Sequence, residues 1–103
     1  MLIYNTTFHV TGERERSHFL NFMYEVYLPQ SKACEYLTNH RFVSLITSLG
    51  DDVSGFALMA DVRNVADLKR WKQEKEERLL TLLSQQFGEK VLTFSTVMKV
   101  MDI

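Results

Sequence analysis

The sequence has little of the residues that break or cross-link a chain. Its 103 residues include one proline, one cysteine and four glycines. The single cysteine, Cys34, cannot form an internal disulfide, which fits a reducing compartment. There is no phosphate-cradling glycine loop, no nucleophile elbow and no cysteine pair. The common motifs of nucleotide-binding, hydrolytic and redox enzymes are therefore absent.

An excess of charge of one sign and long apolar runs are also absent. The formal net charge is −1, so we expect no nucleic-acid partner. No run approaches the roughly 18 apolar residues of a membrane span, and the sequence opens on a strand pattern with no basic segment or cleavage site. With 46% hydrophobic and 24% charged residues, we expect one globular domain over residues 1–103, cytoplasmic and without membrane contact.

The start of the sequence alternates in the manner of a β-strand. One side of residues 2–10 is mostly apolar: Leu2, Tyr4, Thr6, Phe8 and Val10. The other side is half polar: Ile3, Asn5, Thr7 and His9. This pattern predicts a central strand with helices on its first side and a partly apolar environment on its second.

A helix is predicted after Thr11-Gly12, with acidic residues in its first turn. It is expected to end or kink near Leu28, because Pro29 has no amide proton and clashes with the preceding turn. Residues 30–40 are expected to form a short helical turn and a connection.

Two strands and a longer helix are predicted next. Residues 41–47 and 53–62 read as a hairpin around the turn at Gly50. Asn64 resembles an N-cap, and Gly88 is placed to close the helix that follows. The inner face of that helix is expected to hold Leu68, Trp71, Lys75, Leu79, Leu82, Leu83 and Phe87.

The last predicted strand covers residues 90–101. Its two faces are Leu92, Phe94, Thr96, Met98 and Val100 on one side, and Val91, Thr93, Ser95 and Val97 on the other. The order strand, helix, strand, strand, helix, strand predicts an α+β, ferredoxin-like βαββαβ fold, with an antiparallel four-stranded sheet of order 4-1-3-2 and two helices on one face.

The second sheet face is predicted to be covered by another copy of the chain. We expect it to combine three sets of side chains, one from each of three strands: Ile3, Asn5, Thr7 and His9; Gly55, Ala57, Met59 and Asp61; and Val91, Thr93, Ser95 and Val97. Because such a face is poor in long charged side chains, burial in a two-fold homodimer is favoured over an open monomer face. The predicted dimer interface is Ile3, Ala57, Met59, Val91 and Val97.

Three stretches carry a family resemblance: Ile3-Tyr4-Asn5-Thr6-Thr7-Phe8, Tyr27-Leu28-Pro29 and Phe87-Gly88-Glu89-Lys90-Val91-Leu92-Thr93-Phe94. Together they resemble a small bacterial family known only as a domain of unknown function. That family is similar to the dimeric α/β-barrel group, in which two ferredoxin-like sheets pair face to face. The group includes cofactor-independent monooxygenases, haem-degrading and haem-binding enzymes, and ligand-sensing modules. The resemblance implies the fold and the dimer but no particular reaction.

His9 is the leading candidate for chemistry, as a base, a haem ligand or a hydrogen-bond donor, although a structural histidine is the commoner case. The predicted ligand-binding set is Asn5, Thr7, His9, Met59, Thr93 and Ser95. Water bridging the two sheets is the simpler occupant of such a patch. His18, His40 and Cys34 have no partner at metal-binding or activating spacing, so neither a metal nor a cofactor is indicated.

The sequence therefore favours a small-molecule-binding or protein-interaction module that uses the cavity between two sheets. The alternative is a cofactor-independent or haem-associated monooxygenase-like enzyme in which Asn5 and His9 supply the polar groups. A third possibility is docking of an outer edge strand onto a larger protein.

Overall fold

The computed structural model describes all 103 residues as one four-stranded antiparallel sheet covered on one side by helices. The strands are β1 (Leu2–Thr11), β2 (Thr38–Ser44), β3 (Val53–Val62) and β4 (Val91–Lys99). The helical segments are α1 (Glu13–Phe22), α2 (Leu28–Ala33), α3 (Val65–Trp71) and α4 (Glu77–Phe87). A π turn at Met23–Tyr27 joins α1 to α2, a second at Lys72–Glu76 joins α3 to α4, and a 3₁₀ turn spans Gly88–Lys90.

The sheet order is β2-β3-β1-β4, which is 4-1-3-2 when read from the other edge, as predicted. Strand β1 lies at the centre and pairs antiparallel with both β3 and β4. Its side chains are buried at every second position from Tyr4 to Val10, because these point toward the helices. The predicted ferredoxin-like plan is confirmed for the single chain.

The core between sheet and helices is rich in aromatic side chains. Phe8 and Phe19 are fully buried, and their ring centroids lie 5.2 Å apart. Phe19 also lies 5.4 Å from Phe56 of β3. These tilted contacts bind the first helix to the two central strands, and such pairs add roughly 0.5–1.5 kcal/mol beyond the burial of their area.

Of the two outcomes predicted near Leu28, an end or a kink, the first does not occur, because the first helix continues beyond that residue. It runs from residue 13 to residue 33, and a π turn lies immediately before the proline. In that turn the amide of Leu28 bonds to the carbonyl of Met23, five residues back. The wider turn displaces the carbonyls with which a proline ring clashes in a regular α-helix, so the helix continues.

The second helix begins and ends where the sequence predicts. The side chain of Asn64 accepts a hydrogen bond of 2.9 Å from the amide of Asp67, and Gly88 has a φ of +54° at the other end. Its inner face differs from the prediction at three positions, because Lys75 is exposed whereas Asp67 and Glu76 are buried. The π turn places residue 76, five positions after Trp71, on the buried side.

Strand β2 begins and ends about three residues earlier than the predicted range 41–47. The chain leaves the sheet after Ser44, and the side chains of Leu45 and Leu49 lie against the backbone of Gly55 on β3. A glycine there allows this approach, because a Cβ atom would lie 2.7 Å from a methyl carbon of each leucine.

The prediction for β4 is wrong about which side chains face the helices. Residues directly opposite each other in an antiparallel pair lie on the same side of the sheet. Val91 is opposite Val10, and Thr93 is opposite Phe8, so Val91, Thr93, Ser95 and Val97 lie on the helix side. Leu92, Phe94, Thr96 and Met98 lie on the other side with Ile3 to His9. The error arose because both sides of this edge strand carry apolar residues, which leaves its register undetermined by pattern.

Candidate functional site

The sheet side without helices, called the open face here, is the first candidate site. It is formed by Ile3, Asn5, Thr7, His9, Arg41, Val43, Gly55, Ala57, Met59, Asp61, Leu92, Phe94, Thr96 and Met98. Leu92 and Phe94 are about half exposed, at 51% and 50%, and Met98 is 39% exposed. Only Arg41 and Asp61 carry charge, so the face is more apolar than a solvent-facing sheet surface normally is.

A polar strip runs along β1 through the middle of the open face. The side-chain amide of Asn5 donates a hydrogen bond of 3.0 Å to the Thr7 hydroxyl. The His9 ring lies 4.9 Å from the Phe94 ring, centroid to centroid, with their planes tilted by 57°. The strip therefore combines hydrogen-bonding groups with an aromatic wall.

The remaining predicted site residues divide between the two sides of the sheet. Met59 is opposite Asn5 and shares the open face with it. Thr93 and Ser95 lie on the helix side, so the predicted six-residue set does not form one patch. The cavities that the single chain encloses are lined by residues outside the open face.

The predicted interface residues are divided in the same way. Ile3 and Ala57 belong to the open face together with Met59. Val91 and Val97 point to the helix side, where Val91 is buried and Val97 is 46% exposed at the edge of the sheet.

A second candidate site, which the sequence did not indicate, lies between sheet and helices. This buried cluster consists of Tyr4, Tyr27, Trp71 and Glu76, of which Glu76 is 6% exposed. One carboxylate oxygen of Glu76, Oε2, accepts a 2.6 Å bond from the Tyr4 hydroxyl and a 3.2 Å bond from the Trp71 indole N–H. An O–H···O distance this short is typical of a charge-assisted bond to a carboxylate.

The two tyrosines of the buried cluster titrate abnormally. Burial is the main cause that raises the pKa of Tyr4, with the hydrogen bond to Glu76 as the second. Burial also raises the pKa of Tyr27, and the negative charge of Glu76 adds to it. Both phenols are therefore protonated throughout the physiological pH range and act as hydrogen-bonding groups.

Tyr27 has a buried hydroxyl with no hydrogen-bond partner in the protein. It lines a cavity of about 10 Å³, the space of one water-sized molecule. The other lining residues are Tyr4, Thr6, Ser31, Leu37, Leu58, Ala60 and Trp71, all of them buried. An unpaired buried hydroxyl costs about 1–3 kcal/mol, which favours an occupant able to bond to it.

The second π turn explains why sequence periodicity missed Glu76, the acidic member of this cluster. Glu76 is the last residue of the second π turn, and its side chain points toward the sheet, where it bonds to Tyr4. Spacing rules for a regular α-helix place Lys75 inward instead. A tryptophan followed five positions later by an acidic residue was the signal available, and it has meaning only once a π turn is considered.

The remaining histidines and the cysteine lie outside both the open face and the buried cluster. His18 lies on a surface groove of about 260 Å³, and Cys34 is a free, half-buried thiol. His40 is not in a loop but on β2, where Nε2 lies 3.0 Å from the Ser31 hydroxyl, and burial lowers its pKa. No three His, Cys, Asp or Glu side chains come together in a way that could hold a metal ion. None of the helices is both long and apolar enough to cross a bilayer.

Solved structures with the same fold share little sequence with this chain. A putative antibiotic biosynthesis monooxygenase from Deinococcus radiodurans is 9% identical, with a TM-score of 0.74 over 100% of this chain and 95% of that one. A dimeric ferredoxin-like protein from an uncultured marine organism is 15% identical, with a TM-score of 0.66 over 100% and 97% of the two chains. A hydroxynitrile lyase from Passiflora edulis is 7% identical, with a TM-score of 0.63 over 99% and 97%.

These identities establish a shared fold and no shared activity. No curated protein matches the sequence significantly. The family profile described as domain of unknown function (DUF4286) matches residues 1–101, so the chain belongs to that family, as the resemblance implied.

Proposed function

We propose that this DUF4286 chain forms a homodimer through its open face and binds a small molecule at the polar strip, between two facing sheets. The observation that carries the proposal is the half exposure of Leu92, Phe94 and Met98 on one contiguous sheet surface. Full burial of an exposed side chain of this kind is worth roughly 1.5–3 kcal/mol, and covering the exposed half of each contributes about half of that.

A second copy is the partner that this surface fits best. A two-fold contact needs only one self-complementary patch. Every copy of the chain carries both the exposed apolar side chains of β4 and the polar strip of β1. The marine protein with this fold is described as dimeric, which supports the same arrangement here. Arg41 is opposite Met59, two positions from Asp61 on β3, so the face carries both signs of charge and little net repulsion.

The polar strip indicates what the dimer would hold. Asn5, Thr7 and His9 offer hydrogen bonds, while Phe94 offers an aromatic surface for an apolar or aromatic ligand. Facing sheets lie about 10 Å apart, which leaves room for a flat ligand wherever opposing side chains are short, as they are at Ala57.

Two adjacent residues of β4 provide the decisive test of the dimer. Met98 lies on the open face and Val97 on the helix side, with similar exposures of 39% and 46%. In sedimentation velocity, Met98→Asp is expected to convert the dimer to a monomer, whereas Val97→Asp leaves it intact. A wild-type chain that sediments as a monomer, or equal effects of both substitutions, would contradict the proposal.

Binding is tested separately by native mass spectrometry of the purified dimer. A co-purified small molecule is expected on the wild type and lost in an Asn5→Ala, His9→Ala double variant that remains dimeric. If the wild-type dimer consistently carries no additional mass, the ligand part of the proposal fails and the interaction role remains.

The enzymatic alternative, a cofactor-independent or haem-associated monooxygenase that uses Asn5 and His9, depends on the same dimer. The open face of one chain encloses no cavity, so a reaction pocket there would require closure by the second copy. Oxygen consumption by the dimer, abolished by His9→Ala, would favour the enzyme over the binding module.

A further inference from the structure

We propose that Arg41 of each copy forms an ion pair with the partner's Asp61 across the dimer, so that a second copy is recognised by charge as well as by apolar contact. This inference rests on the proposed open-face dimer and deepens it. It is carried by two opposite charges on the open face that the single chain leaves apart, although they lie within reach of each other.

Arg41 and Asp61 are close neighbours in the sheet but form no ion pair within one chain. Arg41 is opposite Met59 on β3, and Asp61 lies two positions further along that strand. Such diagonal neighbours are about 7–8 Å apart, which a long side chain can span. The one salt bridge of the chain joins Arg63 to Asp67, so the exposed guanidinium of Arg41 has no carboxylate partner.

A bulge in β2 keeps the two charges apart. Two steps along β3, from Met59 to Asp61, correspond to three steps along β2, from residue 38 to residue 41. Asn39 lies in this bulge with a φ of +52°, a left-handed conformation that asparagine tolerates better than most residues. Its side-chain amide donates a 3.3 Å hydrogen bond to Oδ2 of Asp61. The carboxylate is therefore held by Asn39 and not by Arg41.

A dimer that covers the open face removes both charges from water. A charged side chain that is buried without a counter-charge is costly, and a bonded partner of opposite charge offsets that cost. A two-fold axis repeats every contact, so two equivalent ion pairs form in each dimer. Because Arg41 and Asp61 are the only charged residues of the open face, this arrangement leaves neither of them unpaired.

The geometry of facing sheets suits this contact. The two residues lie side by side, so a two-fold axis that runs between them places each over its counterpart on the other copy. Sheets that pack face to face are about 10 Å apart, and an arginine side chain is long enough to cross most of that gap. A carboxylate has several acceptor positions, so the bond from Asn39 leaves capacity for the guanidinium on Asp61.

Charge reversal at these two positions tests the ion pair. In sedimentation velocity, Arg41→Glu and Asp61→Lys are each expected to raise the dimer dissociation constant at least about tenfold, because like charges then face each other. Combining the two substitutions in one chain is expected to restore dimerisation. Arg78→Glu is the matched control, because it makes the same change of charge at an exposed position of α4, and it should dimerise as the wild type does.

A mixture of the two single variants shows whether the contact lies between copies. One chain then carries only acidic groups at the two positions and the other only basic groups, so opposite charges meet in the heterodimer and like charges in either homodimer. Native mass spectrometry of an equimolar mixture is expected to detect mainly the heterodimer. If Asp61→Lys does not fold because Asn39 loses its acceptor, Asp61→Asn retains that acceptor, and combining it with Arg41→Glu should reduce the effect of the latter.

Three results would overturn the proposal. Single variants that dimerise as tightly as the wild type would show that the charges do not meet, while the open-face dimer would still stand if Met98→Asp disrupts it. Rescue in the double variant without a preference for the heterodimer would place the ion pair within one chain. A monomeric wild type would remove the dimer and the ion pair together.

Discussion

The hydroxyl of Tyr4 donates a 2.6 Å hydrogen bond to Glu76, linking the central strand to the second helix across 72 positions of the sequence. The hydroxyl of Ser95 lies 3.1 Å from the same Tyr4 oxygen and donates to it, because the tyrosine proton is already used. Three elements that are distant in sequence thus meet at one phenol. Local stability is expected to depend on it more than on any surface tyrosine.

Tyr4→Phe is expected to destabilise the chain by about 1.5–3 kcal/mol, because Glu76 then keeps a single donor in a buried environment. Urea unfolding followed by the fluorescence of Trp71 measures the change. Tyr24→Phe is the matched control, since Tyr24 is 64% exposed and its loss of a hydroxyl should be close to neutral. Equal effects of the two substitutions would contradict the role given to Tyr4.

Gly55→Ala is expected to displace Leu45 and Leu49, whose side chains lie over Gly55 on the open face, opposite His9. The added methyl carbon would lie 2.7 Å from a methyl carbon of both Leu45 and Leu49, so these side chains must move, at a cost of about 1–3 kcal/mol. Combining Gly55→Ala with Leu49→Ala should restore part of the loss, because the second change makes space. A double-mutant cycle in urea measures this coupling, and strictly additive effects would show that the leucines do not rest on Gly55.

Asn64→Ala is expected to cost about 1 kcal/mol, because the amide of Asp67 loses the 2.9 Å bond that caps the second helix. Asn21→Ala provides the comparison, since Asn21 is exposed within α1 and caps nothing. Thermal unfolding of both variants measures the loss of stability as a decrease in Tm. A Tm for Asn64→Ala at or above the wild-type value would refute the cap.

His40 is expected to titrate below its ordinary pKa of 6.5, mainly because burial disfavours the charged ring. The unfolded chain then binds more protons than the folded one in the interval just below 6.5, so stability increases with pH there. The contribution is present above that value and is lost as the pH falls through the folded pKa.

Two-dimensional NMR of the imidazole resonances checks the titration of His40. The hydrogen bond that raises the pKa is made with the backbone of Ser31, so Ser31→Ala, which removes only the hydroxyl 3.0 Å from Nε2, should leave the His40 midpoint below 6.5. A His40 midpoint at or above 6.5 in the wild type would contradict the burial of this ring.

The sequence by itself determined those features of the fold that depend on residues close together in the chain. The alternation of residues 2–10, the capping asparagine at 64 and the glycine at 88 each reflect neighbours a few positions apart. Their outcomes, a central strand and the two ends of a helix, match the prediction. The strand order followed from connection rules that hold for most chains with this succession of elements.

Tertiary structure decided the features that depend on distant parts of the chain. Pairing with β1 fixes which side of β4 faces the helices, and both sides of that strand carry apolar residues. The second π turn brings Glu76 inward in place of Lys75, the residue that a regular helix would place there. Neighbouring residues set where a helix or strand forms, but only packing against the rest of the molecule sets its rotation and register. The two candidate sites depend on rotation and register, so the sequence alone located one incompletely and the other not at all.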